Sequence, residues 1–483
     1  MLADLVRGFA WFTIIYFLVL NSGYLGLIVL AAVAAIGAQR DAPFAGRDEL
    51  FASPLTPPVT IIVPAHDEAE RIVECVNGLL GLRYPEFQVI VVDDGSTDDT
   101  FARLHSTFDL VEIPLVVRHD VPVRGRICSS HVARNGTDLV VIRKESIGRP
   151  ADPVNAGINA ARHPLVCRVD ADCVLDEEAL LAVAAPFVED PERIVVVGAT
   201  VRVANGSAIE HGRVRTVRLP RTWLVRFQSI EYLRAFMLGR VGWAQLGGVL
   251  FVSGAFGLFR RDAVVEVGGM DTDSEGDDVE LVLRLHHQFR RTGRRYGVGF
   301  VADPCCWTRA PSRYGDLARQ RRRWAQILTE ALWIHRSMIL HPRYGFIGMV
   351  VMPYFVVFEL CGAVVELLAF PVFAVGMAIG IVDPRVALLA VIIGFGFATF
   401  LSVAAIAVEE FSYHRAARWR DLGLAVVTAF AENLGYRQIY AWWRIRGVVH
   451  AFGGQPASWV DPSGGQDRAP APAPAATPGP STA

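Results

Sequence analysis

Residues 11–37, WFTIIYFLVLNSGYLGLIVLAAVAAIG, hold no charged side chain. A helix needs about 20 apolar residues to cross a bilayer core, so this run alone can span one. It is too long for the core of a signal peptide, and no cleavage site closes it. Two more such runs lie far downstream. Residues 345–382 carry only Glu359 and Glu366 as charges, and residues 386–408 carry none. The mean hydropathy of +0.34 fits a chain that is part membrane and part soluble. The block between the runs, 41–340, must then fold outside the bilayer.

That block alternates strand-like and helix-like segments. VTIIVPA (59–65) precedes the helical pattern EAERIVECVNGLLGL (68–82), and FQVIVVDDGS (87–96), LVVIRK (139–144) and PLVCRVDAD (164–172) continue the series. Val/Ile-rich strands separated by helices predict a mostly parallel, doubly wound sheet. Such sheets bind ligands at the C-terminal ends of their strands. The formal net charge of −2 gives no overall pull toward nucleic acid. The seven cysteines show no paired metal spacing, and they read as buried or free thiols in a reducing compartment.

Charge placement constrains topology. Arg40 and Arg47 follow the first run, Arg7 precedes it, and the basic stretch HRAARWR (414–420) follows the last. Basic flanks favour the cytoplasmic side. An even number of crossings therefore separates 41–340 from 414–420. The expectation is an interfacial helix near 325–350, spans within 353–381 and at 386–408, and three spans in all with the N-terminal one. Residues 422–440 contain Glu432, Asn433 and Arg437 and read as an interfacial helix or a poor span. From residue 462 the tail is rich in Pro, Ala, Gly and Ser and should be disordered. The expected division is a transmembrane helix at 1–40, a cytoplasmic domain at 41–340, interfacial and transmembrane helices at 341–445, and a disordered tail at 446–483.

Four short motifs can carry chemistry, and each has a bland reading beside the sharp one. DDGSTD (93–98) ends a strand; its acids could bind a base, a ribose or a metal, or simply cap a turn. Asp170-Ala171-Asp172 closes VCRVDAD, where strand alternation puts both carboxylates on one side, fit to share a hard divalent cation or to cap the strand. EGDDVELVLRLHHQFRR (275–291) opens with Asp277 and Asp278 at a helix start, as a general base or as charges favouring the helix dipole. In QRRRW (320–324), Arg321, Arg322 and Arg323 could pair with diphosphate and Trp324 could stack on a sugar; a juxtamembrane basic patch is the alternative.

Taken in order, these motifs resemble glycosyltransferase family 2, above all its membrane-embedded branch of cellulose synthases, hyaluronan synthases and ceramide glucosyltransferase. IIVPAHDE (61–68), ADPVNAGINAARHPLVCRVDADCVL (151–175) and VSGAFGLFRRDAVVEVGGM (252–270) carry the same likeness, which covers roughly 59–324. The resemblance implies an α/β fold of GT-A type, with a doubly wound mixed sheet plus transmembrane and interfacial helices. It implies an inverting, metal-dependent hexosyl transfer from a nucleoside diphosphate sugar, a UDP-sugar, to a carbohydrate or lipid acceptor. Pro64, Ala65, His66, Glu68, Asp93, Asp94 and Asp170 would bind the donor. Asp170 and Asp172 would hold Mg2+ or Mn2+. Asp278 would be the base, and Ser253, Gly254, Gln320, Arg323 and Trp324 would line the acceptor and diphosphate region. The expected setting is the cell membrane, multi-pass, with membrane lipids as partners and an oligomer or export partner to complete a channel.

This chain departs from the pattern at three places. Pro150 stands where the family usually has lysine, so Arg149 or Lys144 would have to supply that charge. Asp277 replaces a usual glutamate, and Thr308-Arg309 replaces a frequent Thr-Glu pair. The competing readings are a catalytically inactive membrane scaffold and a transporter that keeps a GT-A-like domain.

Overall fold

The computed structural model describes residues 1–41, 46–210, 212–413 and 419–453. Positions 414–418 of the basic stretch and the whole Pro/Ala-rich tail lie outside the described residues. The middle block holds a ten-stranded mixed sheet. Its strands are β1 (Val59–Ala65), β2 (Phe87–Asp94), β3 (Leu110–Glu112), β4 (Ile127–Ala133), β5 (Leu139–Lys144), β6 (Leu165–Val169), β7 (Val174–Leu175), β8 (Ile194–Val203), β11 (Phe256–Arg260) and β12 (Gly297–Thr308), with β9 (Ala208–Glu210) and β10 (Arg213–Thr216) forming a separate ribbon. The spatial order is β3-β4-β5-β2-β1-β6-β11-β8-β12-β7. Val, Ile and Leu fill β1, β2 and β6 because helices cover both faces of the sheet, and every residue of β6 is buried.

This order decides which loops meet. The strands β2, β1 and β6 lie side by side and parallel, so their C-terminal ends share one edge. The strand β11 runs antiparallel to β6 with Phe256 opposite Val169. The residues just before β11 are thereby brought to the same edge. The strand β12 pairs with β7 through Cys306 and Leu175 and carries Thr308 to it as well.

Among the described residues, three helices are long and apolar enough to cross a membrane: Leu2–Gly37, Ile347–Ala378 and Pro384–Phe411. The first does not stand apart, since its Leu27 and Ala31 belong to the same buried core as the sheet. Two expectations change. No single helix covers 325–350; the helix Tyr314–Ile334 ends early and short turns at Arg336–Met338 and Pro342–Tyr344 follow, as Pro342 and Gly345 dictate. Residues 422–440 are two helices, Trp419–Ala431 and Tyr436–Phe452. Gly435, at φ of 100°, breaks them, a conformation closed to residues with a side chain.

The helix Asp277–Thr292 is tied by one buried histidine to the segment before β11 and to the residue that precedes β12. His286 bonds the Val249 carbonyl at 2.8 Å through Nε2 and the Tyr296 hydroxyl at 2.5 Å through Nδ1. Burial pulls its pKa down to about 4, so it is neutral in the fold and charges only on unfolding. Its contribution is full above the unfolded value and is lost as pH falls toward 4, with a limit of roughly 3 kcal/mol. Melting of the detergent-solubilised protein should therefore drop as pH falls from 6.5 to 4. His286→Leu should melt lower at pH 7.5 yet show a flatter decline; an unchanged slope in the variant would remove His286 as the cause.

Candidate functional site

The loop after β1 and the loop after β2 are stitched together by short side chains. Asp67, at φ of 56°, accepts from the Thr97 N–H at 2.7 Å, and its own N–H donates to the Ser96 hydroxyl at 3.1 Å. The Glu68 N–H donates to Thr100 Oγ1 at 2.8 Å, and Ala69 N–H to Asp98 at 3.0 Å. An aspartate tolerates the left-handed region better than most residues, which is why this tight loop can hold one. Asp67 was not among the expected site residues, although its place between His66 and Glu68 in the first loop marks it.

One cavity of ≈ 1850 Å³ opens at this edge of the sheet. Pro64, Ala65, His66, Glu68, Asp94, Asp170, Asp172, Ser253, Gly254, Asp278, Gln320, Arg323 and Trp324 all line it. Asp93 does not. It is buried, accepts from the Ser96 N–H at 3.1 Å and faces Arg143 at 3.5 Å, so it builds the turn below the cavity. Asp170 and Asp172 also differ from expectation in one respect. The strand ends at Val169 and the two acids sit in the following turn, closed by the Cys173 N–H on the Asp170 carbonyl. The turn, rather than strand alternation, brings both to the cavity.

Beneath the acids lies Arg168, unforeseen from the sequence although it is the one charge within the apolar strand LVCRV. Its Nη1 donates to Asp277 at 2.8 Å and its Nε lies 3.6 Å from Asp170. Asp278 is held separately, accepting the Gly254 N–H at 2.8 Å. A Cβ on residue 254 would come within 3.2 Å of that carboxylate and 3.3 Å of the Arg168 guanidinium carbon, so glycine permits the approach. Burial and the Asp277 charge raise the pKa of Asp278, against Arg168 and two backbone N–H groups. Burial pushes Asp170 up to about 7, with Arg168 opposing and Asp172, Asp277 and Asp278 adding to the rise. The turn is thus short of positive charge.

Hard carboxylate oxygens suit Mg2+ or Mn2+, which commonly take only one or two ligands from a protein and the rest from phosphate and water. Among the described residues no group of three or more His, Cys, Asp or Glu side chains forms a closed cage. Asp170 and Asp172 fit that open pattern. The cations weighed for diphosphate divide. Lys144 is buried against Asp94 and Asp152, and Arg149 pairs with Glu275 at 2.5 Å. Arg321 is fully buried on Glu231 at 3.1 Å, and Arg322 does not line the cavity. Arg323 lines it, with burial lowering its pKa against the charges of Asp278 and Asp170.

The cavity continues between the membrane-length helices, past Asn21, Tyr24, Glu359, Glu366, Arg437 and Arg444. These charges are paired. Tyr24 donates to Glu359 at 2.7 Å, Arg444 meets Glu359 at 3.0 Å, and Arg437 meets Glu366 at 3.2 Å.

A family model described as glycosyltransferase like family 2 matches residues 57–326. Similar proteins include the poly-beta-1,6-N-acetyl-D-glucosamine synthase of Staphylococcus aureus strain COL, 28% identical over 270 residues, with 56% of this chain and 54% of the relative covered. The synthase of the same name from Staphylococcus epidermidis is 27% identical over the same shares. The chain spans about half the length of the curated relatives it matches. Among solved structures, a mannosyltransferase from Pyrobaculum calidifontis in complex with GDP-Man and Mn2+ aligns with a TM-score of 0.51 at 19% identity, covering 88% of this chain and 99% of that one. That likeness shows the fold, a mixed sheet of GT-A type.

The Arg168–Asp277 pair makes a direct prediction about stability. Removing one partner of a buried pair strands the other charge, at about 3–5 kcal/mol. Arg168→Met should therefore melt far below the parent, and the double variant Arg168→Met with Asp277→Leu should recover much of the loss. Equal melting of the single variant and the parent would show that the guanidinium does not neutralise Asp277.

Proposed function

The chain belongs to the glycosyltransferase-like family 2, and we propose that it is an inverting membrane transferase that moves a sugar from a nucleoside diphosphate sugar, a UDP-sugar, to a hydroxyl of a carbohydrate or lipid acceptor. Its place would be polysaccharide or glycolipid synthesis. One observation carries the reading: a single cavity joins the two stitched loops, the Asp170–Asp172 turn and the separately held Asp278.

The proposed roles follow from position. The loop Pro64–Glu68 and Asp94 receive the nucleoside. Asp170 and Asp172 would hold Mg2+ or Mn2+, which when bound neutralises charge developing on the diphosphate leaving group. Arg323 adds a cation on the same side, with Gln320 and Trp324 beside it on one helix. Asp278 accepts the proton of the acceptor hydroxyl at a carboxylate oxygen. Its raised pKa brings it nearer the operating pH, where a base is most effective. Attack from the side of Asp278, opposite the diphosphate, inverts the anomeric centre. Ser253 and Gly254 bound the acceptor position, and Gly254 fixes the base through its N–H.

General-base catalysis contributes about 10²–10⁴-fold, so Asp278→Asn should lose at least that much turnover while UDP binding persists. Asp277→Asn should be milder, since Asp277 serves Arg168. The assay is nucleoside diphosphate release from a panel of donors, with Mn2+ or with EDTA, followed by product analysis. Undiminished release in EDTA would overturn the cation's role, and an inactive Asp277→Asn beside an active Asp278→Asn would move the base by one residue.

For orientation, we propose three spans with residues 41–340 on the cytoplasmic side and the N-terminus outside. The support is the three long apolar helices and the basic flanks of the sequence. A cysteine placed at the exposed position Asn135 should resist a membrane-impermeant maleimide in intact cells and react after permeabilisation. Labelling in intact cells would reverse the orientation.

A further inference from the structure

Two arginines that line the cavity are held by acids from the segment leading to Asp278. The loop after β5 is anchored in the nucleoside region, since its Ser146 hydroxyl donates to Asp94 at 2.8 Å. Arg149 of that loop meets Glu275 at 2.5 Å. A second pair joins Arg124 to Asp273, with both Nη atoms on both carboxylate oxygens at 2.7 Å. All four side chains line the cavity.

The Arg149 pair differs from the permanent ones. Lys144 and Arg321 are wholly buried against their carboxylates, whereas the Arg149 side chain is 36% exposed. A pair that water still reaches is weak and easily exchanged. Its bond to Glu275 runs through Nη1, and the guanidinium makes no other hydrogen bond among the described residues. The fork that grips a phosphate with two parallel bonds is therefore not used up.

Glu275 is placed where a larger anion would compete with it. Burial raises its pKa, Arg149 opposes the rise, Glu330 adds to it and Arg323 opposes it. It thus lies within reach of two guanidiniums of the cavity wall, and the second of them, Arg323, also feels Asp278 and Asp170. The backbone beside Glu275 is fixed. Gly276 caps the helix Asp277–Thr292, and a Cβ there would meet Ile327 at 2.0 Å, so the segment is pressed onto the helix Tyr314–Ile334. Glu275 can release Arg149 by a swing of its side chain, without moving the start of the helix that carries Asp278.

We propose that Glu275 is a placeholder for the diphosphate of the donor: it holds Arg149 until the donor arrives, and the diphosphate then takes the guanidinium and frees the carboxylate. A diphosphate carries more charge than one carboxylate and offers paired oxygens, so the exchange favours the ligand. The inference rests on the nucleoside diphosphate reading of the same site.

The test titrates the full chain in detergent with UDP, uridine and pyrophosphate, in Mg2+, by calorimetry. Glu275→Gln should bind UDP and pyrophosphate about threefold more tightly than the parent, the scale of a partly exposed ion pair, with uridine unchanged. Arg149→Met should bind UDP about tenfold more weakly, the scale of a charge-assisted contact, again with uridine unchanged. Arg149→Lys should fall between Arg149→Met and the parent. In the double variant, Glu275→Gln with Arg149→Met, the tightening should vanish. A merely structural pair predicts the opposite sign, since losing Glu275 would loosen the loop and weaken UDP. Equal or weaker UDP binding in Glu275→Gln would overturn the exchange. Tightening that survives in the double variant would overturn it too, as a general effect of charge. A parent that binds pyrophosphate but neither UDP nor uridine would refute the nucleoside reading, while the same comparisons on pyrophosphate still decide the exchange.

Discussion

Four carboxylates, Asp170, Asp172, Asp277 and Asp278, face one cavity, and the Arg168 guanidinium lies among them. Mutual repulsion would scatter such a group or leave it protonated. Arg168 prevents this unequally. It takes Asp277 as its close partner, stands farther from Asp170, and leaves Asp278 to a backbone N–H. Each acid thereby acquires a different character. Asp277 is neutralised and structural. Asp278 is held by a weaker, neutral donor and keeps its affinity for a proton. Asp170 remains under-compensated, near 7, and is where an added cation relieves most repulsion.

That division depends on topology. Parallel β1, β2 and β6 place three loops at one edge by register alone. A fully parallel sheet would send the next strand's start to the opposite edge. The antiparallel β11 reverses this and delivers Ser253 and Gly254 beside Val169 and the turn after it. The absence of a Cβ on Gly254 eases its close approach to Asp278. A change in sheet direction, one glycine and one buried arginine thus position the candidate base.

The sheet and the three long apolar helices were legible because both are written in simple periodicities: Val/Ile runs closed by Asp and Gly, and long stretches without charge. The motif residues were legible as a set for the same reason, since polar residues at strand ends have few other places to be. What escaped depended on contacts across the fold. Arg168 looked like an isolated charge in a strand, and only the register with β11 and the helix at Asp277 gives it a partner. Asp93 and Asp94 are adjacent, yet alternation along the strand sends the first down into the turn and only the second to the cavity. Arg321, Arg322 and Arg323 read as one basic cluster, but helical rotation sends them to different surroundings. Lys144 seemed available for phosphate and is instead held by Asp94 and Asp152.

The membrane-length helices carry charges that composition alone makes puzzling. Glu359 and Glu366 sit within an otherwise apolar helix, where an unpaired carboxylate is expensive. Each meets an arginine from the helix Tyr436–Phe452. The pairs therefore fasten the helix Tyr436–Phe452 to the helix Ile347–Ala378 and keep that part of the cavity polar. Ligand pockets commonly hold about 300–1,000 Å³, and ≈ 1850 Å³ exceeds what a nucleotide sugar requires. Beyond the strand ends, the lining includes paired charges, Glu359 with Arg444 and Glu366 with Arg437, and the aromatic rings of Trp243, Phe251, Tyr354, Phe355 and Phe358. On the proposed reading, a second substrate would reach Asp278 from the side of the helices while the donor would occupy the strand ends.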